Sequence, residues 1–324
     1  MQNAIKPRLA PGEIASLVHK GLAKQRGTII AMTEFTDGYF NAVHGVRLAD
    51  GRELVLKVAP PAGPRLLRHE SDLIRAEMHF YERAITVGVP LPALRYGDPD
   101  SGVLLMDMLR GQTLDSVRDK LPTEDLFAIR RQLGEIAARS TGLTGPLFGY
   151  PRRDGRTRSP SWRAAFLAMI DDILLDAIEF DAELPLPAEQ IAALVAKHSL
   201  LLDEVTTPSL VHFDLWDGNI FVIDNGWGWR VEAIIDAGRA LYADPLAELV
   251  PTIAFAAPDQ ADIVIDAMLG RELTPAEQTR LCLYTSYLLM VLVTEGASQR
   301  FDKAEFEPKR QWFYQQLTGY LAQL

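Results

Sequence analysis

Cysteine is almost missing from this chain: 324 residues contain one, Cys282. A single thiol excludes an intramolecular disulfide and any cysteine-based metal cluster. Cys282 lies in the apolar run Leu281-Cys282-Leu283-Tyr284, so a buried structural thiol is expected, because reactive thiols need polar, exposed surroundings. Basic charge is short as well. The 33 Lys and Arg face 43 Asp and Glu, for a net charge of −10. That deficit argues against nucleic-acid binding, which needs basic surface to displace counterions, and it is compatible with a cationic partner. No uninterrupted apolar run reaches the length of a membrane span. Met1 to Lys6 lacks the apolar core of a signal peptide. The expectation is a soluble, cytoplasmic protein with no membrane partner. No internal repeat or low-complexity tract is visible. What remains is a chain that is 48% hydrophobic, enough for one two-lobed enzyme or two modest domains.

The most informative stretch is Leu210-Val211-His212-Phe213-Asp214-Leu215-Trp216-Asp217-Gly218-Asn219-Ile220-Phe221-Val222. It reads as an apolar strand end, a polar loop and a second apolar strand. A later strand, Val231 to Ile235, ends on Asp236. Three oxygen-bearing side chains, Asp214, Asn219 and Asp236, thus sit at strand ends. Phosphoryl transfer needs this kit: one carboxylate to orient the attacking hydroxyl, then an amide oxygen and a second carboxylate to hold Mg²⁺ against nucleotide phosphates. The spacing H-x-D-x-x-x-x-N with a later metal-binding Asp matches position by position. Ala237 stands where Phe of D-F-G belongs, and Gly238 is retained. Transition-metal chelation by His212 and Asp214 lacks a second His or Cys nearby.

Upstream, residues 28–59 read as three strands, 28–33, 42–48 and 53–58, with Asp50-Gly51 as a hairpin signal. The turn between the first two carries a single glycine, Gly38, rather than G-x-G-x-x-G. Lys57 lies among Val55, Leu56 and Val58, and an ammonium in apolar surroundings requires an anion. A helix spanning residues 68–84 supplies one: Leu73, Ile74, Glu77, Phe80 and Tyr81 share a face. Glu77 is the preferred partner of Lys57, and Glu70, seven residues earlier on that face, is the rival. Pro90 and Pro92 end the helix.

On these residues the chain resembles the aminoglycoside phosphotransferase family of the protein-kinase-like superfamily. His212 to Asn219 is similar to its H-x-D-L-x-x-x-N loop, and Ile235-Asp236 with Ala243-Asp244-Pro245-Leu246-Ala247-Glu248-Leu249 to its I-D…D-P-x-x-D-L segment. Glu248 departs from the usual Asp and Ala237 from a common aromatic. Gly38-Tyr39-Phe40-Asn41 resembles the family's sparse G-x-x-N turn, Glu77-Met78-His79-Phe80-Tyr81 its E-x-x-x-Y, and Val87 to Pro92 its G-V-P-x-P step. The resemblance covers about residues 28–249. It implies an α+β, bilobal protein-kinase-like fold: a small antiparallel-sheet N-lobe over 1–106 and a larger, mostly helical C-lobe over 107–324. It implies nucleotide binding by Lys57, Glu77, Gly38 and Asn41, and by the backbone of Asp107 and Leu109 at the hinge after the apolar strand 102–109. Asp214 becomes the catalytic residue, Asn219 and Asp236 the Mg²⁺ ligands, and His212 and Asp244 structural supports.

The second lobe reads as helices: 123–137, one from 162 to 180 with Ser159-Pro160 as N-cap and N1, 187–202, 247–256, 259–269, one opened by the Thr274-Pro275-Ala276-Glu277 capping box, and a last one holding Trp312 and Leu321. Two charge clusters stand out. Arg152, Arg153, Arg156 and Arg158 occupy a loop that reads as a lid, a phosphate contact or solvated surface. Asp172, Asp176, Glu179 and Glu183 share a helical face that reads as a polycation site or a solvated face. No A-P-E segment follows Asp236, so the expected acceptor is a small hydroxylated molecule rather than a protein. The resulting expectation is a kinase using Mg²⁺ and ATP or GTP, as monomer or homodimer, of the antibiotic-resistance type. Its alternatives are a metabolic kinase for a sugar, choline-like or ketosamine substrate, suggested in part by Leu215-Trp216, and a catalytically silent nucleotide-binding scaffold.

Overall fold

The computed structural model describes residues 5–36, 38, 40–61, 63, 66–299 and 303–324, with the side chains of 303–305 left aside. Asp37 and Tyr39, inside the expected glycine turn, lie outside the described residues. In chain order the elements are α1 (Pro11–Leu22), β1 (Ile29–Phe35), β2 (Ala42–Leu48), β3 (Glu53–Val58), α2 (Leu73–Ala84), β4 (Leu94–Asp98) and β5 (Val103–Asp107). There follow β6 (Gln112–Thr113), α3 (Leu114–Val117), α4 (Thr123–Thr141), α5 (Trp162–Glu179), α6 (Ala188–His198), β7 (Ser209–Val211), β8 (Ile220–Asp224), β9 (Trp229–Ile234) and β10 (Leu241–Ala243). Helices α7 (Val250–Phe255), α8 (Pro258–Leu269), α9 (Pro275–Ser298) and α10 (Lys303–Leu321) close the chain.

Strands β1 to β5 form one antiparallel sheet in the order β1-β2-β3-β5-β4. Alternation along β3 sends its side chains to two faces. Leu54, Leu56 and Val58 join Ile14, Val18 and Leu22 of α1 in one core. Val55 packs on the other face with Ile74 of α2, Leu104 and Met106. Lys57 belongs to this second face, which puts its ammonium under α2. The rest is mainly helical, around a large core to which α4, α5 and α9 contribute. The fold class read from the sequence is the one observed: an antiparallel sheet first, helices after.

Two short strand sets position the loops of interest. β7 pairs with β10, and β8 pairs with β9 from Ile220↔Ile234 onward. The hairpin brings residue 219 beside residue 235.

Several expected boundaries move. The helix expected over 68–84 is broken: residues 68–70 form a separate turn, and Asp72 takes left-handed backbone with φ 57° before α2 begins. The Asp72 carboxylate accepts from Arg153 N–H (3.2 Å), which repays part of that conformation. The N-cap of α5 is Ser161, whose Oγ accepts from Ala164 N–H, in place of Ser159. Strand β1 continues to Phe35, into the expected turn. The Thr274–Glu277 capping box opens α9 as expected. Helix α9 has the length and mean hydropathy of a membrane-crossing helix, although no uninterrupted apolar run was expected to reach that length. Its most apolar stretch is 78% buried, so it serves as core here.

Candidate active site

Lys57 Nζ donates to Glu77 Oε2 and to Asp236 Oδ1, each at 2.7 Å. Glu77 is therefore the partner, and Glu70 is not. Glu70 instead accepts from Leu67 N–H (2.7 Å) and Gln299 Nε2 (2.6 Å). Tyr81 lies one helical turn beyond Glu77. Its hydroxyl donates to Glu77 Oε1 (3.2 Å) and accepts from Asp236 N–H (3.3 Å). Burial alone would discharge Lys57; the two carboxylates outweigh it and hold the ammonium above its ordinary pKa. An ion pair this deep is sustained only because each partner has a hydrogen-bond mate.

The catalytic-loop candidates form a second group. Asn219 Nδ2 donates to the Asp214 carbonyl (2.8 Å) and to Asp214 Oδ2 (3.1 Å). Ile235 N–H donates to the Asn219 carbonyl (2.9 Å), so the β8–β9 hairpin sets Asn219 beside Asp236. His212 is fully buried, and burial pushes its pKa down to about 4. The neutral ring bridges the two segments: Nε2 donates to the Ile235 carbonyl (3.0 Å) and Nδ1 accepts from Asp214 N–H (3.2 Å). Phe213 and Asp236 both hold positive φ, 63° and 62°, conformations that cost a non-glycine residue energy and recur at functional sites. Burial lifts the Asp214 carboxyl to about 7, with Asp236 and Glu295 adding repulsion, while Arg239 and Asn219 pull the other way.

Arg239 and Glu295 were not singled out in the sequence. Arg239 donates to Asp214 Oδ1 (3.0 Å) and to Glu295 Oε1 (2.5 Å), and Glu295 meets His69 at 3.5 Å. A usable signal existed: Arg239 lies three residues after Asp236, and Glu295 interrupts an apolar helix. Glu248, the departure from the usual Asp, accepts from His212 N–H (2.6 Å) and Phe213 N–H (3.3 Å). Its side chain thus fastens the start of the 212–219 loop. Asp217 anchors the far end of that loop through buried Arg130 (Nη2 to Oδ2, 2.8 Å) and Arg118 (3.0 Å). Asp244 is 2% exposed. It accepts from Leu246 N–H (3.0 Å), Arg280 Nε (2.9 Å) and the Tyr284 hydroxyl (2.8 Å).

Just after β5, Met108 N–H donates to the Glu53 carbonyl (3.0 Å), and Asp107 N–H donates to Ala93 (2.9 Å). The Asp107 carboxylate pairs with Arg95 and its N–H is taken by the Ala93 carbonyl. Leu109 follows directly, before Arg110 and Gly111, whose N–H groups donate to Glu232. Asn41 is buried with its Oδ1 unpartnered, and the Gly38 carbonyl accepts from Lys6 Nζ (3.1 Å). One ion pair, Arg156–Asp172, joins the two charge clusters. Arg68, outside both, meets Asp176 and Glu179, so the acidic helix face is largely neutralised within the fold.

The donor set suits a hard cation. Asn219 spends its Nδ2 on Asp214, leaving Oδ1 as its ligand atom. The Asp236 side chain is 44% exposed with one oxygen held by Lys57. An amide oxygen and a carboxylate beside each other fit Mg²⁺. A second grouping, His69, Glu70 and Glu295, has ligand atoms within 4.8 Å, but both its carboxylates are already engaged.

A five-stranded antiparallel sheet, a buried Lys–Glu pair under its helix and an H-x-D-x-x-x-x-N loop define a protein-kinase-like phosphotransferase. The chain belongs to the phosphotransferase enzyme family APH, whose profile matches residues 31–284. No curated protein sequence matches it. Among solved structures it is similar to a candidate fructosamine-3-kinase from Thermobifida fusca YX-ER1. That match has 23% identity and a TM-score of 0.63, over 90% of this chain and all of the other. A choline/ethanolamine kinase family protein from Mesorhizobium loti matches with 18% identity and TM-score 0.63, over 96% and 94% of the two chains. An ADP-bound aminoglycoside phosphotransferase, APH(2'')-Ib, matches with 15% identity and TM-score 0.62, over 96% and 99%. At these identities the three share the fold with this chain.

Proposed function

We propose that the protein transfers the γ-phosphoryl group of ATP or GTP to a hydroxyl of a small molecule in the cytoplasm. One observation carries the reading. Five side chains from four separate segments, Lys57, Glu77, Asp214, Asn219 and Asp236, are joined by direct contacts or by the hairpin that seats Asn219 beside Asp236. In this reading residues 1–106 cover the nucleotide, with Gly38 and Asn41 near the phosphates and the Asp107 and Leu109 backbone at the base. Residues 107–324 carry the acceptor. Lys57, fixed by Glu77, neutralises α- and β-phosphate oxygens. Asn219 and Asp236 would hold Mg²⁺, which when bound offsets charge on the transferring phosphates.

Asp214 takes the acceptor proton as the hydroxyl oxygen bonds to γ-phosphorus and the bond from γ-phosphorus to the bridging oxygen breaks, releasing the nucleoside diphosphate. A carboxylate pKa near 7 suits a general base at neutral pH. Arg239 keeps Asp214 oriented, and His212 and Glu248 hold the loop. Two acceptor classes follow. An aminoglycoside-type antibiotic agrees with the family. A neutral or anionic metabolite agrees with the Arg68 and Arg156 ion pairs, which occupy the acidic face a polycation would need.

Asp214→Ala should lower kcat by about 10²–10⁴ while leaving nucleotide binding in place. Turnover equal to wild type would remove Asp214 from the mechanism. The acceptor is found by following Mg²⁺–ATP and Mg²⁺–GTP consumption across hydroxylated antibiotics and common metabolites. Turnover confined to metabolites would end the resistance reading, and silence with nucleotide still bound would favour a scaffold.

A further inference from the structure

Helix α2 meets the turn that carries Asp236 at two levels. Near its start, Leu73 Cβ lies 3.4 Å from where a Cβ on Gly238 would stand. Eight residues on, about 12 Å along the axis, the Tyr81 hydroxyl accepts from Asp236 N–H at 3.3 Å. Ala237, next to Asp236, is fully buried and offers only a methyl group to the packing. Apolar contact therefore sets the depth of this turn but gives it no directional hold. The hydrogen bond from Asp236 supplies one.

Tyr81 is buried, and a buried phenol needs partners. A hydroxyl offers one hydrogen and two lone pairs. The hydrogen goes to Glu77 Oε1 (3.2 Å), and one lone pair takes the Asp236 N–H. Asp236 lies beyond the β8–β9 ladder, which ends at Ile234, and holds φ 62° and ψ 52°. A non-glycine residue stays in that region only where its surroundings fix it. Its carboxylate is divided. Oδ1 accepts from Lys57 Nζ (2.7 Å), and the side chain is 44% exposed, so the other oxygen is the one open to a cation. Lys57 thus grips one end of the side chain, and Tyr81 grips the backbone from which it springs. Together the two supports fix the direction of the remaining oxygen.

We propose, resting on the reading of Asp236 as a Mg²⁺ ligand, that Tyr81 is a positioning residue for that cation: its hydroxyl, joining Glu77 to the Asp236 N–H, aims the free carboxylate oxygen at the metal. Asn219, the other ligand in that reading, is seated by the β8–β9 hairpin and does not depend on this contact. One face of α2 then serves both halves of the nucleotide site. Glu77 fixes the ammonium of Lys57, and Tyr81 fixes the metal carboxylate.

The test is calorimetric titration of the full chain with adenylyl imidodiphosphate and, separately, guanylyl imidodiphosphate, each in excess Mg²⁺ and in excess EDTA. The readout is the Mg²⁺ gain, the ratio of Kd in EDTA to Kd in Mg²⁺. In Tyr81→Phe the gain should fall about two- to tenfold, the worth of one hydrogen bond, while the Kd in EDTA stays at the wild-type value. Asp236→Asn/Tyr81→Phe should lose no more gain than Asp236→Asn alone, because Tyr81 acts through Asp236. An unchanged gain in Tyr81→Phe, or a further loss in the double variant, overturns the proposal. So does an equal weakening with and without Mg²⁺, which would make Tyr81 a support of the fold at large and leave the Mg²⁺ reading standing. A wild-type chain that binds neither nucleotide, or binds with no gain, ends the Mg²⁺ reading itself and the proposal with it.

Discussion

Arg280→Met tests whether Asp244 supports the catalytic half mechanically. Arg280 Nε and the Tyr284 hydroxyl both donate to Asp244 Oδ2, at 2.9 and 2.8 Å, in a site where Asp244 is 2% and Arg280 6% exposed. Removing one member of a buried pair strands the other, which costs about 3–5 kcal/mol. Unfolding entropy scales with length at about 2.1 cal/mol/K per residue. For 324 residues that cost corresponds to a Tm lower by about 4–7 °C. The assay is thermal unfolding of wild type, Arg280→Met, Asp244→Asn and the double variant. The double variant should be more stable than the sum of the single losses, because neither partner is left charged alone. Additive losses, or a single-variant shift under about 1 °C, would refute the claim that the pair acts as a unit.

Lys57→Met should lower kcat/KM by about 10²–10³, measured with saturating Mg²⁺, since a preorganised cation is removed from the phosphates. Asp236→Asn should require more Mg²⁺ for half-maximal rate; an unchanged Mg²⁺ dependence would discard it as a ligand. Glu277 is held down to about 2, chiefly by Arg271, with the Thr274 cap adding to it. A depressed carboxyl stabilises above its ordinary pKa and loses that stabilisation as pH falls. The Tm gap between wild type and Glu277→Gln should therefore be full above about pH 5 and shrink toward pH 2. Gly111→Ala should destabilise the fold where this segment meets β8, because a Cβ there would sit 2.2 Å from the Val222 carbonyl oxygen; a Tm equal to wild type would contradict that packing.

Much of the site was readable because its parts are local. His212 to Asn219 span eight positions, and a fixed spacing in a strand–loop–strand setting carries their geometry. Lys57 and Glu77 were readable for another reason: each is a charge in an apolar stripe, and opposite anomalies invite pairing. Arg239 with Glu295, Arg130 with Asp217 and Arg280 with Asp244 were not readable. Their partners lie 56, 87 and 36 positions apart, and a charge on a helix looks the same in sequence whether it meets solvent or a distant carboxylate. The break at Asp72 escaped because helical periodicity continues through it. The cause is tertiary, a left-handed residue whose carboxylate binds the 150s loop. The acidic face on α5 was visible as a pattern, but its neutralisation by Arg68 and Arg156 depends on elements the pattern cannot place.

Helix α9 supplies Leu281, Leu283, Tyr284, Tyr287, Leu288 and Leu289 to the largest core. Translation delivers this segment after α5 and α7, on which it packs, and before α10, its most extensive neighbour. Until it emerges from the ribosome, the nascent α4–α8 region presents a greasy, unfilled seam to chaperones and to other chains. A stop codon before residue 275 would make that exposure permanent, turning a truncated enzyme into an aggregation hazard rather than a weakened catalyst.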